Sequence, residues 1–218
     1  MNVDAAVRQM PRIKYCAEKA GIGNALFVGY GTLLGVIREK KLINYDSDTD
    51  FCVRSDLVTG EQEQKFYEIL DAEGMFEYRR RRKVRPDNGR YLWMSLKSEL
   101  DGCKSCIWFQ WPWNGYYWHS KGNRWVTKIG RKRNLEIDYK KTDAITKGVP
   151  IEYLSELKQR KFYGETYNIP FMYGSCLSYW YGDFMTPRKG GASSCEMLTV
   201  IGEWNDVSTW KMMNMHNY

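Results

Sequence analysis

Three aspartates at alternate positions, Asp46, Asp48 and Asp50 in "NYDSDTDF" (44–51), bring three negative charges onto one short segment. In an extended chain alternate side chains share a face, about 6–7 Å apart, and like charges at that spacing repel and raise one another's pKa. A fold tolerates this where water, basic groups or a divalent cation compensates. Two readings follow from the segment alone. Asn, Asp and Ser are turn formers, which allows a solvated turn. Hard carboxylate oxygens also suit Mg²⁺, which allows a metal-holding strand.

Upstream, "GYGTLLG" (29–35) separates a short apolar run from a helical pattern. Backbone N–H groups at such a turn favour an oxyanion, glycine permits close approach, and Thr32 adds a hydroxyl. A dinucleotide-binding turn competes with this reading. Leu34, however, stands where that motif needs its third glycine, and a ribose contact needs one acid rather than an alternating trio. Metal-dependent phosphoryl transfer uses both halves, with a glycine turn for phosphate and a D-x-D strand for Mg²⁺.

The elements that must position these residues are legible from periodicity. Residues 3–20 repeat apolar side chains at helical spacing, with Pro11 expected to kink or delay the helix. "ALFVG" (25–29) is a short strand, 31–41 a helix, and Asp48–Val53 a strand. Residues 61–73 form an amphipathic helix ended by Gly74. "FEYRRRRKVR", "PDNG" and "RYLWMSLKSEL" form a hairpin, "SCIWFQWPW" a strand stopped by Pro112, and "NGYY" a tight turn. "LEIDY" is a short strand, "PIEYLSELKQRKFYG" starts as a helix at Pro150, and "SCLSYWYGDFMTP" is a helix ending in a loop. This order predicts an α+β fold, a mixed sheet flanked by helices. Without repeat, linker or composition break, it reads as a single domain over 1–218, with its core at about 10–190 and a C-terminal extension at 191–218.

The 43% hydrophobic and 27% charged residues are those of an ordinary globular protein. The start of the chain carries no apolar signal-peptide core, and no apolar run is long enough to span a membrane, so a cytoplasmic protein is expected. Six cysteines fit that compartment as free thiols. Cys103 and Cys106 form one CxxC, without a second pair to complete a zinc site. A net charge of +7 favours an anionic partner without choosing among nucleotide, nucleic acid and acidic lipid.

The stretch "GTLLGVIREKKLINYDSDTDF" resembles the signature of the LicD/fukutin family of nucleotidyltransferase-fold proteins, G-[TS]-L-L-G-x-x-R followed by I-P-W-D-x-D-x-D. Gly31, Thr32, Leu33, Leu34, Gly35, Arg38, Ile43, Asp46, Asp48 and Asp50 match, while Asn44 and Tyr45 stand in place of Pro and Trp. Downstream, "FYGETYNIP" and "YWYGDFMTP" are similar to the family's closing elements. The resemblance implies a nucleotidyltransferase-like mixed sheet. It also implies transfer of a phospho-alcohol (phosphocholine- or ribitol-phosphate-like) from a CDP-activated donor to a glycan or glycolipid hydroxyl, with Mg²⁺ or Mn²⁺ and without obligatory nucleic acid. By match, Asp48 and Asp50 are metal ligands, and Asp46 is a third ligand or activates the acceptor. Gly31 and Thr32 meet the donor phosphate, and Arg38 contacts phosphate or braces the acid strand.

One departure bears on the chemistry. Family members usually carry a further metal-binding Asp on a later strand, where "SCIWFQWPWNG" puts Cys106, and a thiol is a poor Mg²⁺ ligand. Asp46 then suffices, or Asp138 or Asp101 substitutes, or the chemistry is weakened. Two rivals stay open: a nucleotidyltransferase that expels pyrophosphate, and a non-catalytic glycan- or nucleic-acid-binding module. The run "RRRRKVR" (79–85) suits either a basic wall, with Arg79, Arg81 and Lys83 in one row, or a charged hairpin edge that blocks aggregation. His119 and His216 have no partner at a telling spacing, and Asp183 reads as a structural cap.

Overall fold

The structure, a computed structural model, describes residues 1–84, 91–98, 103–119, 143–187, 196–203 and 211–216; side chains of 76–84, 91–93, 98, 143–147 and the last two segments are not described. The turn at 86–89, Asp101, "LEIDY" with Asp138, and Cys195 lie outside these residues. So do the side chains of Arg79, Arg81, Lys83 and His216.

Helix α1 (Val3–Lys19) is capped by Asn2, whose side chain accepts from the Ala5 N–H at 3.2 Å. It runs through Pro11 without ending there. Pro11 removes one backbone donor, but Ala5, Ala6, Met10, Ile13, Cys16 and Ala17 on both sides of it are buried, and that packing holds the helix together. Strand β1 (Leu26–Val28) follows, then helix α2 (Tyr30–Leu34), which widens into a π turn at Gly35–Glu39. A Cβ on Gly35 would lie 2.7 Å from the Lys41 carbonyl, so glycine lets the returning chain cross here. The acid segment passes from a turn into β2 (Thr49–Arg54). Helix α3 (Gly60–Ala72) opens on a Thr59/Gln62 capping box.

The hairpin of β3 (Met75–Val84) and β4 (Tyr91–Ser98) is present, with β4 antiparallel to β5 (Lys104–Trp113). Strand β5 is central: it runs parallel to β2 on its other side, and its residues are almost continuously buried. It passes beyond Pro112, which pairs with Tyr117 near the hairpin turn to β6 (Tyr116–His119). Asn114 and Gly115 make that turn with φ of 47° and 78°, as a two-residue hairpin requires. The sheet continues through β7 (Asp143–Pro150) to β10 (Glu196–Glu203) and β11 (Lys211–His216), so the C-terminal segments join it.

After Pro150 the helix lasts one turn, α4 (Ile151–Leu154). The rest of that stretch is β8 (Leu157–Phe162), paired with β9 (Glu165–Pro170) across Tyr163 and Gly164, whose φ values are 49° and 82°. Asn168 on β9 donates to the Gly23 and Leu26 carbonyls, both at 2.9 Å, and so ties this hairpin to β1. Helix α5 (Tyr173–Tyr181) then leads into the loop carrying Asp183 and Phe184. The fold is a mixed α+β arrangement. Among the described residues no helix is long and apolar enough to cross a membrane.

Candidate functional site

The acid segment and the glycine turn meet because β1 and β2 are antiparallel neighbours, with Val28 opposite Phe51. The Gly29 N–H donates to the Asp50 carbonyl at 3.1 Å, and the Asp50 N–H donates to Thr32 Oγ1 at 2.7 Å. Thr32 is thus turned inward and buried, with its hydroxyl holding the acid strand. Thr32→Val keeps the shape and removes the acceptor, leaving a shielded N–H unpaired. We expect a loss of about 1–3 kcal/mol in denaturant unfolding.

Gly31 is where the carboxylates crowd the backbone. A Cβ there would lie 2.2 Å from Asp46 Oδ2 and 3.6 Å from Asp50 Oδ2. Both oxygens therefore face the same point of the turn. A cleft of about 210 Å³ opens beside them, lined by Gly31, Arg38, Tyr45, Asp46, Asp50 and Asp183 among others. The π turn carries Arg38 toward this wall, where its guanidinium donates to the Phe184 carbonyl at 2.9 Å and pairs with Glu39 at 2.7 Å. Arg38 thereby braces the loop after α5, and Asp183, which accepts from the Thr186 hydroxyl at 2.6 Å, lines the same cleft.

Opposite β2, the central strand presents donors. Asp50 pairs in register with Cys106, so alternation puts Lys104, Cys106 and Trp108 on the face of β5 beside the acids. Lys104 Nζ lies 2.7 Å from Asp48 Oδ2, the Cys106 thiol donates to the same oxygen at 3.1 Å, and Ser47 Oγ donates to Asp48 Oδ1 at 3.0 Å. Trp108 Nε1 donates to Asp50 Oδ1 at 3.0 Å.

These partners set the charges. Burial raises the pKa of Asp48, but the hydrogen bonds from Lys104 and Cys106 outweigh it and hold the carboxyl below its usual value. Asp46 is pushed up, chiefly by burial and then by the charge of Asp48, against the Ser47 N–H that it accepts at 2.9 Å. Burial and the charges of Asp50 and Asp48 push Cys106 far up, so it stays a protonated thiol.

One ligand atom each of Asp48, Asp50 and Cys106 lies within 4.8 Å of the others. Asp46 is outside that group and faces the cleft instead. The hard oxygens of the two aspartates fit a divalent cation, whereas the Cys106 thiol faces them as a donor. Cys103 is not in the group, and its thiol is directed at the Lys104 carbonyl at 3.6 Å.

Sequence spacing does not point to Lys104, Tyr30 or His119, whereas Trp108 opens the aromatic run "WFQWPWNGYYW", which suits core packing or stacking on a base or sugar. Tyr30, with φ of 44°, packs on Trp180 at 4.4 Å and lies 5.7 Å from Trp108. Its hydroxyl meets His119 Nδ1 at 2.8 Å, and the His119 ring lies 5.0 Å from Trp108. Only the strand order brings His119, on β6, to the glycine turn.

The family domain described as "LicD/FKTN/FKRP, nucleotidyltransferase domain" matches residues 23–171. No curated protein matches the chain significantly. Among solved structures, the crystal structure of ANT(2")-Ia in complex with adenylyl-2"-tobramycin is similar at a TM-score of 0.32 and 17% identity. That likeness covers 51% of this chain and 53% of the other, so the chain spans about half that protein's length.

Proposed function

Since the chain belongs to the LicD/FKTN/FKRP nucleotidyltransferase-domain family, and membership supports a transferase, we propose that it is a Mg²⁺-dependent phosphotransferase. The donor is a CDP-linked alcohol phosphate of the phosphocholine or ribitol-phosphate kind, and the acceptor is a hydroxyl of a glycan or glycolipid. The observation that carries this reading is the convergence of Asp46 and Asp50 on Gly31 at the mouth of a cleft, with Asp48 beside them.

Asp48 and Asp50 are the proposed cation ligands. Bound there, Mg²⁺ or Mn²⁺ would neutralise charge on the donor diphosphate. Asp46, on the cleft wall, accepts the proton of the acceptor hydroxyl as its oxygen bonds to the phosphorus bearing the alcohol. The bond from that phosphorus to CMP breaks, and CMP leaves with the bonding electrons. Gly31 offers its backbone without a side chain to the donor phosphate. Thr32 contributes by holding Asp50, and Arg38 by fixing the cleft wall at Phe184.

Incubation with CDP-choline or CDP-ribitol, Mg²⁺ and a glycan acceptor tests the assignment. We expect CMP to be released in step with phosphorylation of the acceptor. Pyrophosphate release from CTP would assign the chain to nucleotidyl transfer instead. Failure of the native protein to bind Mg²⁺ and CDP would leave a non-catalytic binding module.

A further inference from the structure

The acids of the site do not all look the same way. Asp48 is shared with protein donors: Lys104 and the Cys106 thiol meet at its Oδ2, and Ser47 donates to Oδ1. Asp50 receives Trp108 on Oδ1, while its Oδ2 and that of Asp46 converge on Gly31 at the cleft. The Lys104–Asp48 contact is short, and the two side chains are only 33% and 15% exposed, so water screens the pair weakly. The strand holds the ammonium there, because Lys104, Cys106 and Trp108 project from one face of β5 against β2.

We propose that Lys104 is a built-in counter-cation at Asp48 Oδ2, so that the acid cluster admits a single divalent ion, with Asp50 as its principal ligand and Asp48 shared with Lys104. Lys104 offsets the charge of Asp48, and the N-terminal ammonium, 2.7 Å from the Asp46 carbonyl, bears on Asp46, so the carboxylate left to attract an ion is that of Asp50. A second ion at Asp48 would meet Lys104 Nζ at the oxygen it needs, and like charges in a shielded site repel strongly. The Cys106 S–H adds a further donor where a second ion would need an acceptor. Lys104 is therefore a positioning residue: it fixes Asp48 and sets how many ions the site takes, without touching the transferred group.

This inference rests on the proposal that the cluster holds a cation. Its test is titration of the full chain with Mn²⁺ alone, by calorimetry and by electron paramagnetic resonance. We expect one ion per chain, with the spectrum of an isolated Mn²⁺ rather than an exchange-coupled pair, and we expect Asp50→Asn to abolish binding. Lys104→Met removes the charge at similar length and should tighten Mn²⁺ binding by about tenfold. Lys104→Arg keeps the charge and should bind as the native chain does, which separates charge from packing. Two ions on the native chain, or a Lys104→Met chain that binds no tighter, would overturn the counter-cation. A native chain that takes up no Mn²⁺ would remove the phosphotransferase reading itself, and the inference with it.

Discussion

Asp50→Asn is expected to lower phosphoryl transfer by about three orders of magnitude, the scale of losing one preorganised electrostatic contact to the reacting group. The substitution is isosteric. Its amide oxygen can keep the Trp108 indole N–H now 3.0 Å from Oδ1, and the strand's own bond to Thr32 is untouched. The NH₂ group then points at Gly31 and Asp46, where a carboxylate oxygen stood, and presents donor hydrogens to the cleft. Stability should move the other way. Three carboxylates held within one turn and strand repel one another, and removing one relieves that repulsion, so thermal unfolding should stay level or rise. Steady-state rates with a CDP-alcohol donor and calorimetric melting check the two halves together. A large drop in activity accompanied by a large drop in melting temperature would mean that Asp50 is structural.

Much of this site could be read from the chain before folding. The glycine turn, the alternating acids and Arg38 lie within residues 29–50, and their patterning is local. The strand expected at Asp48–Val53 forms at Thr49–Arg54, so Asp50 is in β2 while Asp46 and Asp48 precede it. That difference matters, because a turn lets Asp46 leave the row of its neighbours and face the cleft. What the chain could not disclose is the set of donors opposite. Lys104, Cys106 and Trp108 reach the acids only through the parallel β2–β5 pairing, whose register depends on packing across the whole sheet. Family resemblance puts Cys106 beside the acids and Trp108 lies in an aromatic run, whereas Lys104 gives no signal of its own.

Other departures have the same origin. Tyr153, Leu154 and Leu157 imitate a helical stripe, yet the chain turns into β8 because Tyr163 and Gly164 close a hairpin with β9. There, tertiary pairing outweighs local periodicity. The tail that forms β10 and β11 carries only scattered apolar residues in the sequence, and pairing of β10 with β7 and of β11 with β10 defines the strands. The sequence predicts that Pro11 kinks or delays α1 and that Pro112 stops β5; burial on both sides keeps α1 continuous, and Pro112 falls close to the hairpin turn.

Gly31→Ala should be almost as damaging to activity as losing an acid. The added methyl would stand 2.2 Å from Asp46 Oδ2, a separation that no real Cβ contact sustains, so the carboxylate must move. Asp46 is not free to swing without cost, because its other oxygen accepts from the Ser47 N–H and its own N–H is bound to the Ile43 carbonyl at 3.0 Å. Displacement therefore carries the turn before β2 away from the cleft and takes the proposed proton acceptor out of line. A misplacement of about 1 Å costs on the order of 10²-fold in rate. The backbone itself imposes no penalty, since positive φ is taken here by Tyr30 rather than by Gly31. The stability cost should accordingly be modest, about 1–3 kcal/mol for the local overpacking. The informative comparison is Gly31→Ala against Asp46→Ala and the double variant. If the methyl acts by displacing Asp46, the two losses overlap and the double variant is no slower than the slower single one. Additive losses would mean that Gly31 serves the donor phosphate directly, through the backbone that a methyl covers.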